Sequence, residues 1–363
     1  MPQNTLYGGA ISLYTGKARA YMDWKQVPYT EVQANVDVYK QIILPRVGWP
    51  VIPVLVTDTD ETVQDTSEII DHFETLDPDP SVYPGGPAQK MAALLIEVFG
   101  DEWMKLPAMH YRWNYNEDWI LTQFGALSAP DATPQEQREI GEKRAGPFRG
   151  SLPFLGVLPE TRSAIEESYE ALLAELSAHF EHHDYLFGSR PSIGDYGLIG
   201  PLYAHNYRDP KSGEMMKATA PRVARWVERM VEPPTPRGGT FLPNDTVPDT
   251  IVPLLNRFAV EYLPVLEKTA AAFTAWAEDQ SPGTEIPRAL GTHAFTLGGV
   301  TAERAIFTFD LWMMQRPLDF YESLSGADKK AVDAMLAKAG LSEVVSLSGY
   351  PRITRTNFKT VLA

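Results

Sequence analysis

Apolar and polar positions over residues 5–76 alternate between the two-residue period of strands and the longer period of helices. An apolar face recurs at helical spacing over residues 16–26 and again after Thr66, which we predict to be the N-cap of the second helix. Short extended runs flank these helices, at residues 5–9, 28–32, 52–56 and 62–64. The predicted order is β-α-β followed by β-β-α, which gives a mixed sheet with helices on its faces.

A stretch rich in proline and glycine at residues 77–87 ends this α/β segment, and strand patterns are rare after it. Periodicity predicts helices at residues 88–124, 134–145, 159–182, 193–207, 220–231, 247–278, 310–324 and 326–339. The Gly298-Gly299 pair predicts a β-hairpin over residues 292–300, and residues 231–243 form a second joint. We therefore predict three domains: an α/β domain at 1–80, an all-helical domain at 88–231 and a mostly helical extension at 240–363.

The composition narrows the classes of function. The 363 residues carry a formal net charge of −15, which disfavours nucleic acid and anionic membranes as partners. The chain has no cysteine, so disulfides, thiolate-bound zinc and cysteine nucleophiles are excluded. His182 and His183 point about 100° apart on a helix, so we expect a solvated helix end there and no metal site. Neither a signal peptide nor a membrane-spanning run is recognisable, which predicts a cytoplasmic protein.

Three segments of the predicted α/β domain carry candidate chemistry. Ser12 lies between the first strand and the first helix, where backbone N–H groups and the helix dipole favour an anion. Pro53 opens a strand, and a cis bond to Ile52 would turn the backbone of Ile52 toward an extended peptide ligand. Further along, the Thr66 hydroxyl and a helix N-terminus suit a carboxylate, and the Asp65 carboxylate suits an ammonium group.

In their order and spacing these segments resemble the N-terminal, thioredoxin-like domain of the glutathione transferases. In that family a Ser, Cys or Tyr motif follows the first strand, a cis Val-Pro bond opens a later strand, and an acidic residue followed by a serine begins a helix. Ser12, the pair Ile52-Pro53 and the pair Asp65-Thr66 occupy the matching positions.

The resemblance extends to the helical part of the chain. Residues 186–195 are similar to the family motif that precedes a buried helix, with Ser192 and Asp195 as a capping box. In the family this box supports folding and is not catalytic. The fold that the resemblance implies is a thioredoxin-like α/β domain followed by an all-α domain, here with an additional, mostly helical extension.

The resemblance implies a glutathione transferase that uses glutathione as co-substrate, needs no metal and conjugates the thiolate to a small apolar electrophile. Ser12 would donate a hydrogen bond to the sulfur, with Tyr14 and Tyr7 as alternative hydroxyls. Tyr14 and Lys40 would add contacts to glutathione, and surface charge is the other interpretation of Lys40. Lys17 is interpreted either as part of a solvated face or as a cation that attracts the anionic tripeptide.

In the resembling family, the aromatic-rich helix at residues 103–119 lines the electrophile site. His110, Tyr111 and Trp113 are the predicted pocket residues, and burial in a core is the alternative for most aromatic residues here. Members of the family are usually dimers, so we expect a homodimer. A non-catalytic binding or assembly module and a glutathione-dependent lyase remain alternative functions. A reductase would normally need cysteine at position 12.

Overall fold

A computed structural model describes residues 3–235 and 237–363 of the chain. The packing of Cα atoms divides the chain into two compact units, each built from three stretches of sequence. The first unit contains residues 1–82, 108–151 and 199–238, and the second contains residues 83–107, 152–198 and 239–363. The division into three domains remains a prediction from the sequence.

The first unit begins with a small α/β segment that confirms the predicted element order. Its elements are β1 (Asn4–Gly8), α1 (Leu13–Lys25), β2 (Tyr29–Gln33), α2 (Val36–Val38), α3 (Leu44–Val47), β3 (Val54–Val56), β4 (Thr62–Gln64) and α4 (Thr66–Leu76). The strands form one sheet in the order β2-β1-β3-β4. β1 is parallel to β2, whereas β3 is antiparallel to both β1 and β4. This is the mixed sheet that the sequence predicts.

A buried ion pair joins α1 to α4 at the end of the α/β segment. The Glu74 carboxylate accepts hydrogen bonds from Tyr21 Oη (2.8 Å) and Lys25 Nζ (2.9 Å) on one oxygen. Its other oxygen accepts from Ser81 Oγ (2.6 Å) and the Val82 N–H (3.0 Å). The side chains of Lys25 and Glu74 are only 1% and 7% exposed, so each charge depends on the other.

The middle of the chain is helical, as predicted, but the bounds of several helices differ from those that the periodicity suggests. The helices are α5 (Pro87–Val98), α6 (Lys105–Tyr115), α7 (Glu117–Ala126), α8 (Pro134–Arg149), α9 (Leu152–Leu155), α10 (Arg162–His179), α11 (Ile193–Ala204), α12 (Pro210–Thr219) and α13 (Pro221–Val231). The single helix predicted at 88–124 is wrong, because a π-helical turn at Phe99–Trp103 and a break at Asn116 divide it. Helix α12 was not predicted.

Helices α7 and α8 form a hairpin in which backbone touches backbone. A Cβ atom on Gly125 would overlap the carbonyl oxygen of Gln137, and one on Gly141 would overlap the carbonyl oxygen of Leu121. Each helix therefore contributes one glycine to the crossing. The interaxial distance is set by main-chain atoms, since no side chain lies between the helices at these two points.

The last third of the chain contains the predicted hairpin and a second one. Its elements are α14 (Val252–Arg257), α15 (Leu263–Ala277), β5 (Ala289–Leu297), β6 (Val300–Phe307), α16 (Phe309–Ser323), α17 (Gly326–Lys338), β7 (Ile353–Thr356) and β8 (Lys359–Leu362). Gly298 and Gly299 join β5 to β6 with φ of 56° and 80°, which only glycine adopts readily at both central turn positions. The β7–β8 hairpin was not predicted.

A cluster of buried charges lies in the second unit. Glu102 is 2% exposed and accepts a hydrogen bond from Lys105. Burial, followed by the nearby carboxylates of Asp310 and Asp101, raises the pKa of Glu102 to about 8, although Lys105 works against the rise. Arg304 on β6 is also buried, and its guanidinium lies 5.0 Å from the centroid of the Trp103 ring.

Within residues 3–235 and 237–363, none of the helices combines the length and the apolar character needed to span a membrane. Over the same ranges, no group of three or more His, Asp and Glu side chains is arranged to hold a metal ion.

Candidate functional site

The loop between β1 and α1 is folded against the first turn of α1. The Gly9 N–H donates to Thr15 Oγ1 (3.2 Å), and the Ser12 N–H donates to the Gly9 carbonyl (3.0 Å). A Cβ atom on Gly8 would overlap the Thr15 side chain, so this position requires glycine. These contacts fix the position of Ser12 before the first turn of α1.

Ser12 is the N-cap of α1. Its backbone is extended (φ −86°, ψ 125°), and its Oγ accepts a hydrogen bond from the Thr15 N–H at 3.2 Å. A hydroxyl can accept and donate at once, so the O–H of Ser12 remains able to donate to a ligand. The residue is half-buried, at the positive end of the helix dipole. Capping and ligand binding are therefore compatible at this side chain.

The segment at Ile52-Pro53 lies beside this loop. The peptide bond between the two residues is cis, which confirms the prediction from the sequence. A Cβ atom on Gly9 would lie 3.7 Å from Ile52 Cδ1, which is ordinary van der Waals contact. Ile52 is half-buried and Pro53 is buried immediately before β3.

The start of α4 corrects one prediction. Asp65, not Thr66, is the N-cap, and Asp65 Oδ1 accepts a hydrogen bond from the Ser67 N–H at 2.8 Å. Thr66 is the first helical residue and is only 3% exposed. The backbone of Asp65 has φ 92° and ψ 138°, a conformation that costs a non-glycine residue roughly 1–3 kcal/mol and that clusters at functional sites. The second carboxylate oxygen of Asp65 is not needed for the cap.

Lys17 corrects a second interpretation, since it is not part of a solvated face. Its side chain is completely buried, and Nζ donates to Ser67 Oγ at 3.1 Å. An ammonium group is therefore held next to the N-terminus of α4. Arg19 has the more ordinary role, because it forms a two-bond pair with Glu31, with both distances at 2.6 Å.

The remaining predicted contacts to glutathione lie nearer the surface. Lys40 is exposed in a π-helical turn at Tyr39–Ile43. Tyr14 is half-buried in the first turn of α1, and Tyr7 is half-buried on β1. The contacts of Tyr14 and Tyr7 to a sulfur atom and of Lys40 to glutathione stay predictions.

The aromatic residues predicted for the electrophile pocket are buried. His110, Tyr111 and Trp113 are 0%, 4% and 5% exposed. His110 Nδ1 lies 2.9 Å from Asn114 Nδ2, and Trp113 stacks on Phe124 with ring centroids 6.2 Å apart. Of the three predicted residues, Trp113 lines an open groove of about 520 Å³, which also includes Tyr115 and Trp119.

Two arginines that the sequence did not indicate donate hydrogen bonds to the backbone of the loop before Ser12. Arg112 Nη1 donates to the carbonyl of Ile11 (2.8 Å), and Arg208 Nη1 donates to the carbonyl of Ala10. Arg112 is 4% exposed and forms a buried ion pair with Asp209, which is 0% exposed. No local signal in the sequence reveals this pair, because 97 positions separate its members.

Comparison with known proteins identifies the family. The family model for the glutathione S-transferase N-terminal domain matches residues 6–81, and the model for the C-terminal domain matches residues 159–229. Similar solved structures include a glutathione S-transferase from Rhodospirillum rubrum F11, the β-etherase LigF from Sphingobium sp. strain SYK-6 and FzlA from C. crescentus. No curated protein matches the chain significantly.

The three solved structures are distant. Their identities to this chain are 17%, 15% and 15%, and their TM-scores are 0.43, 0.46 and 0.41. The alignments cover 68%, 63% and 67% of this chain and 96%, 97% and 97% of those chains. Likeness at this level carries no argument about activity, so the assignment rests on the two family matches. On those matches, the chain contains the N-terminal and C-terminal domains of the glutathione S-transferase superfamily, at residues 6–81 and 159–229.

Proposed function

We propose that this protein binds glutathione at one edge of its four-stranded sheet and transfers the glutathione thiolate to an apolar electrophile. The observation that most supports the proposal is the register of the sheet. Tyr7 of β1 pairs with Val54 of β3, and Val54 pairs with Gln64 of β4. β4 ends at this row, β3 begins there, and β1 ends one residue beyond it, at Gly8. The Ser12 loop, Ile52-Pro53 and Asp65 therefore belong to the same edge.

The charges at the start of α4 suit the γ-glutamyl head group of glutathione. The oxygen of Asp65 that the cap does not use can accept from the ammonium of that head group. The positive end of α4 and the buried ammonium of Lys17 favour its carboxylate. The strained backbone of Asp65 supports a functional role, because such conformations persist where the surrounding structure imposes them.

Ser12 would act on the sulfur. Its O–H can donate to a thiolate while its oxygen still caps α1. A hydrogen bond and a helix N-terminus both favour the charged form, so the pKa of the bound thiol falls and the thiol proton passes to solvent. The thiolate sulfur then forms a bond to the electrophilic carbon. In a substitution the leaving group departs with its bonding electron pair, and in an addition the displaced π electron pair takes up a proton from solvent. Tyr115 and Trp119 offer aromatic surface to such a substrate, in a groove whose other lining side chains, such as Asn114 and Glu117, are mostly polar.

The ultraviolet absorbance of bound thiolate across pH tests the proposal. We expect the native protein to lower the thiol pKa of glutathione, and Ser12→Ala to raise it by ~1 unit, while affinity changes little. Ser12→Thr keeps a hydroxyl and an N-cap, so it should retain the native titration. Thr133→Ala is the matched control, because it removes the exposed N-cap of α8 without touching this loop.

Binding is tested separately by calorimetry. Asp65→Ala should weaken glutathione binding roughly 10- to 100-fold, because the ammonium loses a charge-assisted hydrogen bond. Unchanged affinity would reject the head-group assignment. If Ser12→Ala titrates as the native protein does, Tyr14 or Tyr7 is the partner of the sulfur.

The same assays separate the alternative functions. Glutathione binding without any thiolate signal or turnover would favour a non-catalytic binding module. Cleavage of a substrate with release of a glutathione adduct, in place of simple conjugation, would favour a lyase. A homodimer and a cytoplasmic location stay predictions from the family resemblance and the sequence.

A further inference from the structure

The ion pair Arg112–Asp209 makes hydrogen bonds both within the pair and to two backbone carbonyls, although no step of the proposed reaction requires it. Arg112 Nε and Nη2 donate to the two oxygens of the Asp209 carboxylate, at 2.7 and 2.8 Å. Nη2 also donates to the Ala204 carbonyl (2.5 Å), and Nη1 donates to the Ile11 carbonyl (2.8 Å). The guanidinium is therefore held on three sides, and the fork-to-fork geometry fixes its plane.

Asp209 does not make the capping hydrogen bond that is usual for an aspartate at its position. It is the N-cap of α12, yet its side chain makes no capping hydrogen bond. Asn116 supplies the cap instead, because its Oδ1 accepts from the Lys211 N–H at 2.8 Å. Aspartate at an N-cap usually accepts from the first turn of its own helix. Here the carboxylate serves Arg112.

The pair acts on the residue next to Ser12. Peptide groups are planar and trans, so fixing the Ile11 carbonyl also fixes the N–H of Ser12 on the opposite side. That N–H donates to the Gly9 carbonyl at 3.0 Å. Arg208 fixes the preceding peptide group in the same way, through the carbonyl of Ala10. Two consecutive carbonyls before Ser12 are thus held by guanidinium groups.

The charges around the loop also favour an anion. Arg112 and Arg208 are two cations, and Asp209 is one anion facing them. His205 lies among these groups, and burial, followed by Arg112 and Arg208, lowers its pKa well below the usual value. A neutral His205 leaves an excess of one positive charge beneath the loop. Such a charge stabilises a thiolate relative to a thiol.

We propose that Arg112, held by Asp209, is a positioning residue that sets the Ser12 hydroxyl and the start of α1 for thiolate binding, with Arg208 as its partner on the preceding peptide. This inference rests on the proposed transferase function. It goes further in assigning a role to three residues outside the α/β segment. Arg112 touches neither glutathione nor the electrophile in this scheme and works through the Ile11 peptide.

The test compares native protein with Arg112→Lys. This variant keeps the positive charge but cannot make the two parallel hydrogen bonds of the guanidinium to Asp209. We expect glutathione affinity to change less than ~3-fold, since the head group is bound elsewhere. The pKa of the bound thiol should rise by ~1 unit, and kcat at neutral pH should fall ~10-fold with KM nearly unchanged. Raising the pH by about one unit should restore kcat, because the lost quantity is the thiolate fraction.

Glu74→Gln is the matched control, since it disrupts another buried ion pair of the first unit that does not reach the loop. It should lower stability and leave the thiolate titration unchanged. Should Arg112→Lys fail to fold, Arg208→Lys at its half-buried position provides the same test through Ala10. A native-like titration in the folded variant would overturn the positioning role while leaving the transferase proposal intact. No lowered thiol pKa in the native protein would overturn both.

Discussion

Asp195 at the start of α11 serves two backbone segments at once. Its Oδ2 accepts from the Ser192 N–H and the Ser192 hydroxyl, both at 2.8 Å, and its Oδ1 accepts from the Leu186 N–H at 3.1 Å. The carboxylate half of the predicted capping box is therefore confirmed. The bond to Leu186 adds a tie to the preceding loop that the sequence motif does not include. The side chains of Asp195 and Ser192 are inaccessible to solvent, since both residues are 0% exposed.

The Asp195→Ala variant would leave two buried N–H groups without these acceptors. Each such loss costs about 1–3 kcal/mol, so we expect the free energy of unfolding to fall by roughly 2–6 kcal/mol. Loss of an ordinary exposed cap would cost only ~0.5–2 kcal/mol. Glutathione affinity of the folded protein should stay native, since the change is confined to the second unit.

Urea unfolding followed by circular dichroism measures the effect through the midpoint and the slope. Asp195→Asn is the matched control, because its amide oxygen can still accept from one of the two N–H groups and should recover part of the loss. A urea unfolding curve like that of the native protein, together with a collapse of glutathione-dependent activity, would refute the reasoning. Asp195 would then belong to the functional site and not to the folding of α11.

Two further predictions concern buried charges. The folded protein keeps a proton on Glu102 up to pH about 8, whereas the unfolded chain releases it near its usual pKa of 4.5. Stability should therefore fall by up to ~1.4 kcal/mol per pH unit across that window, and Glu102→Gln should flatten this slope in urea titrations at several pH values. Glu74→Ala should cost ~3–5 kcal/mol, because it leaves the Lys25 ammonium buried without its carboxylate. A urea midpoint unchanged from the native protein would contradict the second prediction.

The order of elements was predictable wherever local patterns decide the structure. The strand at 52–56 follows from an apolar run that ends in turn residues, and the hairpin follows from the alternation around the Gly298-Gly299 pair. Helix α12 was not predicted because its few apolar side chains give a weak helical period, although Asp209-Pro210 is a helix-start signal. The long helix expected at 88–124 failed because periodicity does not register a single π-helical turn.

For the candidate site, the sequence located the ends of strands and helices better than the environments of side chains. Ser12 lies at the start of the first helix as expected, yet the cap of α4 moved by one residue, to Asp65. The burial of Lys17 was unexpected because a lysine is exposed by default and its contact with Ser67 spans 50 positions. The pair Arg112–Asp209 is equally non-local. Such contacts are set by tertiary packing, which a pattern of residues along the chain does not encode.

The glycine-to-backbone crossing of α7 and α8 has a consequence for how this part of the chain tolerates mutation. Because no side-chain volume sets the spacing at Gly125 and Gly141, the outward positions of both helices can change without altering the crossing. A saturation library across residues 117–149 should therefore divide sharply, with broad tolerance on the outer faces and near-complete intolerance at these two positions. Sequence drift could then erase most of the recognisable similarity in this hairpin while its shape persists.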